Sequence, residues 1–270
     1  MVEVAESWWG RARAAVAELG GVVLPVECGG CGVGGISLCP GCRAGLAGPA
    51  QPLTLTTGPS VGAVWAVAPY GGEIRQVVVA WKDRGRHDLT GPLAGALAGA
   101  VLALLEHAVP GIRAIHCSAD AGCPFSGVQL SVADAPVLLV PVPSSGRARR
   151  ERGADVVLRL ALRAARRVRA GGVPVRVLPA LRLGRSVADQ AGLGRSGRVR
   201  NVSGAMYLSN GAERVVSGRR CVIVDDVVTT GATVREAVRV LTGAGAVSLG
   251  VAAACATPFR RGLSVVAHLH

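Results

Sequence analysis

Lysine is almost missing from this chain. Of 30 basic residues in 270, only Lys82 is a lysine, and the rest are arginine. No Gly-Lys-Ser/Thr can therefore follow a glycine-rich loop, which excludes a Walker-type nucleotide site. Aromatic residues are also scarce, at 3%. Stacked aromatic platforms for single-stranded bases are hard to build from so few. The core has to come from Val, Leu and Ala. Long apolar runs are lacking too. The stretch Leu93 to Leu105 carries no charge but is too short to span a bilayer. Its Gly95 and Gly99 are read as close helix-to-sheet packing. The first residues show no secretory pattern, because Glu3, Glu6, Arg11 and Arg13 interrupt any apolar stretch. The expectation is a soluble, cytoplasmic protein without a membrane span.

Acid is in short supply as well. Asp and Glu number 17, which leaves a net charge of +13. Between Val156 and Ala188 there are eight arginines and no carboxylate. Such a balance favours polyanionic partners, or serves as a solvated face that keeps the protein soluble.

Against that background, one acidic pair stands out. The run from Cys221 to Thr233 reads as a buried strand, then Asp225-Asp226, then Val227-Val228-Thr229-Thr230-Gly231-Ala232-Thr233. Open α/β sheets bind ligands at the carboxyl ends of their strands. The threonine hydroxyls, the glycine turn and the helix start behind it suit a phosphate, here the 5-phosphate of a sugar. The carboxylates of Asp225 and Asp226 suit vicinal ribose hydroxyls or Mg²⁺. A second loop follows Pro141-Val142-Pro143, and its Ser144, Ser145 and Arg147 could neutralise a pyrophosphate. Residues 186–206, with Gln190, Arg198 and Asn201, read as a flap that closes on substrate, with Arg198 acting on turnover.

Cysteine is concentrated in one place. Cys28-x-x-Cys31 and Cys39-x-x-Cys42 are separated by seven residues. Two such knuckles form a tetrahedral Cys₄ site, predicted to hold one structural zinc. Cys221 and Cys255 fall in apolar strand patterns and read as core residues.

The organisation expected along the chain is an N-terminal helix in 1–24, a zinc-binding module in 25–48, and an α/β domain in 60–270. Pro49 to Pro59 reads as a linker. Strands are predicted at 61–70, 137–142 and 173–181, then one ending at Asp226, and one at 247–255. Helices are predicted at 73–82, 93–105, 154–169 and 233–241. This alternation implies a mainly parallel sheet with helical crossovers.

The Asp-Asp loop resembles the phosphoribosyl-pyrophosphate (PRPP) loop of type I phosphoribosyltransferases. The match widens to the ComF family through Pro25, the four cysteines, Tyr70-Gly71-Gly72, Arg75, Lys82, Gly85, Pro141 to Pro143, Arg152-Gly153, Gln190, Arg198 and Asn201-Val202. The resemblance implies the phosphoribosyltransferase-like fold, PRPP or a ribose 5-phosphate as ligand, and Mg²⁺ alongside PRPP. It also implies transfer to an unspecified nitrogen acceptor, or instead a non-catalytic role in DNA uptake with single-stranded DNA or a DNA-handling ATPase as partner. One departure stands at Ala154-Asp155-Val156, where the family has Phe-Asn-Gln. It removes amide side chains expected near the ligand.

Overall fold

The computed structural model describes residues 26–55, 61–109, 135–144, 155–184 and 204–257. The expected helix in 1–24 and most of the flap lie outside them. In chain order the elements are α1 (Pro40–Ala44), β1 (Gln51–Leu53), β2 (Ala63–Pro69), α2 (Gly72–Asp83), a 3₁₀ turn (His87–Leu89), α3 (Thr90–Ala108) and β3 (Val137–Pro141). There follow α4 (Val156–Ala170), β4 (Val175–Val177), β5 (Leu181–Leu183), β6 (Met206–Leu208), α5 (Ala212–Val216), β7 (Arg220–Val228), α6 (Ala232–Gly243) and β8 (Val247–Ala256).

Six strands form one sheet in the order β1-β2-β8-β7-β3-β4. All neighbours are parallel except β1, which runs antiparallel to β2 at the edge. The fold is thus α/β with a mainly parallel sheet. β3 is buried at every position, and β7 nearly so. That is why both read as continuous apolar runs rather than alternating ones. Their side chains still divide between the two faces. Val137, Leu139, Val222 and Val224 join one core with α2, α3 and α4. Leu138, Val140, Cys221 and Ile223 join the other with α6.

α3 is apolar nearly all round, with Leu93, Leu97, Val101, Leu104 and Leu105 wholly enclosed. Each such side chain contributes about 1.5–3 kcal/mol of burial. With its 3₁₀ lead-in the helix is long and apolar enough to cross a membrane, yet two-thirds of it is buried inside the protein. It packs on β8, β2 and α4 as a core helix. The expected packing of its two glycines is half right. Gly99 faces Val67 on the sheet, whereas Gly95 faces the Arg167 guanidinium of α4.

Three expectations need correction. The Pro49–Pro59 linker contains the edge strand β1. The strand at 173–181, expected with an interruption at Pro179, is two strands in different sheets; β5 leaves the main sheet and pairs antiparallel with β6. β7 runs past Asp226 to Val228, held by β8 pairing at Val227 and Val228.

Candidate active site and cysteine centre

At the carboxyl ends of β7 and β3 a cavity of about 460 Å³ opens toward α2. Its lining joins Asp225, Asp226, Val227, Thr229 and Thr233 to Pro143 and Ser144, and both to Tyr70, Lys82 and Asp83. Three segments far apart in sequence thus meet at the sheet end where ligands bind.

The turn after the acid pair is shorter than the sequence run suggests. Val227 and Val228 belong to the strand, and Val228 is buried in the core. Thr229, Thr230 and Gly231 make the turn, and Ala232 opens α6. Gly231 has φ +75°, and a Cβ there would lie 2.5 Å from Leu55 Cδ1. Only glycine fits both the left-handed backbone and that contact. Arg235 Nη1 donates to the Thr230 carbonyl at 2.9 Å and braces the turn from the first coil of α6. The start of this twelve-residue helix, with Thr229 and Thr233 lining the cavity beside it, has the donors and dipole that suit an anion.

The two acids are not equivalent. Asp225 is buried, and its Oδ1 accepts the backbone N–H of Asp226 at 2.8 Å. Burial first, and the neighbouring Asp226 charge second, push its carboxyl well above the usual carboxylate range. Asp226 follows the alternation of Val222 and Val224 toward the α2 face. There Lys82 Nζ donates to Asp226 Oδ1 at 3.0 Å and Oδ2 at 2.7 Å. The Asp226 side chain is 3% exposed and that of Lys82 is 32% exposed, on the cavity side.

Ser144, expected to meet a pyrophosphate, donates its hydroxyl to Asp155 Oδ1 at 3.0 Å. The same oxygen caps α4 by accepting from Leu158 N at 3.1 Å. Asp155 therefore serves as a helix cap that also orients the serine. Ser145, Arg147 and Arg198 lie outside the described residues.

The four cysteines come together. Cys28, Cys31, Cys39 and Cys42 place their sulfurs within 4.8 Å of one another. Cys31 and Cys39 Sγ are 3.6 Å apart, close to the ~3.8 Å edge of a tetrahedron with Zn–S bonds of ~2.3 Å. Backbone N–H groups of Cys39 and Cys42 point at the Cys28 and Cys39 sulfurs, at 3.3 and 3.5 Å. Burial disfavours the Cys28 thiolate, but donors led by the Cys39 N–H outweigh it and bring the thiol to about 6. Burial and the crowding sulfurs push Cys42 up to about 12. Four sulfurs this close cannot all ionise without a cation, so the donor set fits zinc. A site closed by four thiolates has no open position for chemistry.

This cluster sits on α2. A Cβ at Gly30 would touch Val77, and one at Gly45 would touch Ile74. Leu38 and Leu46 are buried in the same core as those two residues. Arg86 ties the two parts, donating to the Glu27 and Ser37 carbonyls at 2.9 and 3.2 Å and pairing with Asp88.

Residues 134–265 match the family model of the phosphoribosyl transferase domain. The chain contains a phosphoribosyl transferase domain. The match takes in β3 through β8, and with them Ser144, the acid pair and the Thr229–Thr233 turn. It leaves out α2 and the four cysteines. Among solved structures, one described as the allosteric regulatory enzyme of purine biosynthesis is 26% identical over 46% of this chain and 23% of its own, with a TM-score of 0.27. This chain thus covers under a quarter of that enzyme's length. No curated protein matches.

In the sequence Lys82 is both the single lysine and part of the Arg75, Lys82, Gly85 pattern, but neither gives it a chemistry. Its pairing with Asp226 spans 144 positions, and no local pattern reveals such a contact. The usable signals were its place between Arg75 and Gly85 in the motif and its standing as a lone lysine where arginine is the rule.

Proposed function

We propose that the cavity binds PRPP or a related ribose 5-phosphate diphosphate and that the protein transfers the phosphoribosyl group to a nitrogen acceptor. The observation that carries this reading is the convergence of the acid pair and the Thr229–Thr233 turn on one cavity. The turn would take the 5-phosphate, and Asp226 the ribose hydroxyls. Tyr70 and Ser144 also line the cavity, on the part left for the diphosphate and the acceptor. As the bond from C1 to the diphosphate lengthens, C1 gains oxocarbenium character, and negative charge grows on the leaving group. Arg147 and, from the flap, Arg198 are the guanidinium groups assigned to it.

Mg²⁺ does not fit the acid pair as a resident ion. Both Asp226 oxygens are engaged by Lys82, and Asp225 Oδ1 by a backbone amide. Among the described residues the only cluster of metal-ligating side chains is the cysteine centre. The ion would enter as part of the substrate, on the diphosphate, as is usual for a cation that prefers phosphate oxygens and water. Its charge also offsets a lining that carries three carboxyl groups.

ComF-type membership, zinc at the cysteine centre and a cytoplasmic setting belong to this reading. A second reading, a non-catalytic adaptor for DNA uptake, is favoured by the exposed arginine face of α4, with Arg159, Arg163 and Arg166. Calorimetry with PRPP, with and without Mg²⁺, followed by a pyrophosphate-release screen over amine acceptors, separates them. Absence of PRPP binding under both conditions would sink the phosphoribosyl reading, whereas tight binding without release for any acceptor would favour the adaptor.

A further inference from the structure

The cavity has a built-in cation that the family match does not cover, since the matched residues begin at 134 and Lys82 lies on α2. Its ammonium spans both oxygens of a carboxylate that is 97% buried, a contact made across the site rather than along the helix. The helix end that carries it is fixed. Trp81, the preceding residue, is 1% exposed, and its Nε1 donates to Thr90 Oγ1 at 3.1 Å. The lysine side chain is 32% exposed and lines the cavity, within reach of an anion bound there.

The choice of lysine bears on what the contact does. Every other basic residue in the chain is arginine. A guanidinium would lock onto the carboxylate in a flat fork. An ammonium is a compact charge that can turn from one oxygen to another. We propose that Lys82 is an exchangeable counter-ion. It holds Asp226 against free divalent metal while the cavity lacks substrate, and transfers to the diphosphate when that group arrives, releasing Asp226 to the ribose hydroxyls. This rests on the reading of the cavity as a diphosphate site. It adds an order of events, in which metal enters with the diphosphate and not before it.

The test uses the full-length, zinc-loaded protein and Mn²⁺ as an Mg²⁺ substitute read by electron paramagnetic resonance. Wild type should bind no Mn²⁺ at the acid pair in the micromolar range. Lys82→Met should gain one Mn²⁺ with affinity raised roughly tenfold or more, the effect expected from removing a unit charge at contact distance. Lys82→Gln, which keeps a donor to Asp226 but loses the charge, should do the same, so the result does not hang on one variant folding well. Adding Asp226→Asn should abolish the gain. Equal Mn²⁺ affinity in wild type and both single variants would overturn the proposal. In a second arm, metal-free inorganic pyrophosphate should bind wild type at least about tenfold more tightly than Lys82→Met; equal affinities would overturn the transfer step. The Mn²⁺ arm contains no sugar. A protein that fails to bind PRPP yet passes that arm would cost the phosphoribosyl reading and not the role of Lys82.

Discussion

Replacing the two acids one at a time should give opposite results. Asp226→Asn leaves the Lys82 ammonium, about two-thirds buried, facing an amide where it had a bidentate carboxylate. Breaking a fully buried pair by removing one partner costs ~3–5 kcal/mol, while an exposed pair is worth ~0–1. With one partner enclosed and the other partly wet, a loss of about 1–3 kcal/mol is expected. Asp225→Asn is different. Asparagine keeps an oxygen for the Asp226 N–H and removes a carboxyl whose ionisation burial opposes. Because its folded pKa is raised, the native state holds a proton that the unfolded chain has released above about pH 4. Wild-type stability should therefore fall as pH rises from there through the folded pKa, and Asp225→Asn should flatten that fall. Urea unfolding of wild type, both single variants and Asp226→Asn with Lys82→Met, from about pH 5 to about pH 8, measures this. The expected order at the alkaline end is Asp225→Asn at or above wild type and Asp226→Asn well below, with Lys82→Met restoring part of the loss. A gap between Asp225→Asn and wild type that closes with rising pH, or equal losses for both acids, would refute the assignment of unlike roles.

Metal analysis should find one zinc per chain, and Cys39→Ser should lose it. Because the cluster packs on Ile74 and Val77, hydrogen exchange in that variant should accelerate in α2 before β7 or β8; uniform acceleration would argue against the coupling. Gly231→Ala should cost about 1–2 kcal/mol from its positive φ and the Leu55 clash, and Leu55→Ala should relieve the clash but not the strain. Gly250→Ala should cost more, since its Cβ would enter the Ala63 carbonyl, a backbone atom that cannot swing away; thermal melts rank the two. If the α4 face binds polyanions, reversing Arg159, Arg163 and Arg166 to Glu should flatten the log-affinity against log-salt slope for a single-stranded oligonucleotide by about 2, at ~0.7 per contact. Arg167 is spared because it packs over Gly95, and an unchanged slope would place binding elsewhere.

The parallel sheet was legible because its central strands are enclosed on both faces, which writes an apolar run into the sequence. Pro141 and Gly231, at the ends of β3 and the β7 turn, mark where those runs stop. The short antiparallel pieces were not legible. β1, β5 and β6 have three residues each, too few for an alternation to emerge, and β5 exists as a separate strand only because its partner β6 lies over twenty positions away. The cysteine centre was legible because a metal site confined to two knuckles needs no distant residue.

The candidate site was legible only in its local half. A strand, an acid pair and a threonine-glycine turn are contiguous, so their spacing reports their geometry. What the spacing could not report is the counter-charge. Two neighbouring carboxylates look from the sequence like a pair that repels and awaits a metal. In the fold one is pushed toward its neutral form by burial, and the other is already neutralised by a helix from the opposite end of the domain. That changes what Mg²⁺ must do. Under the proposed exchange the diphosphate, not the metal, draws the ammonium off Asp226, and an ion that arrives on the diphosphate has no need to bind the acid pair. The one lysine in an arginine-rich chain stands at the cavity carboxylate, and for the proposed exchange of partners a guanidinium fork would be poorly suited.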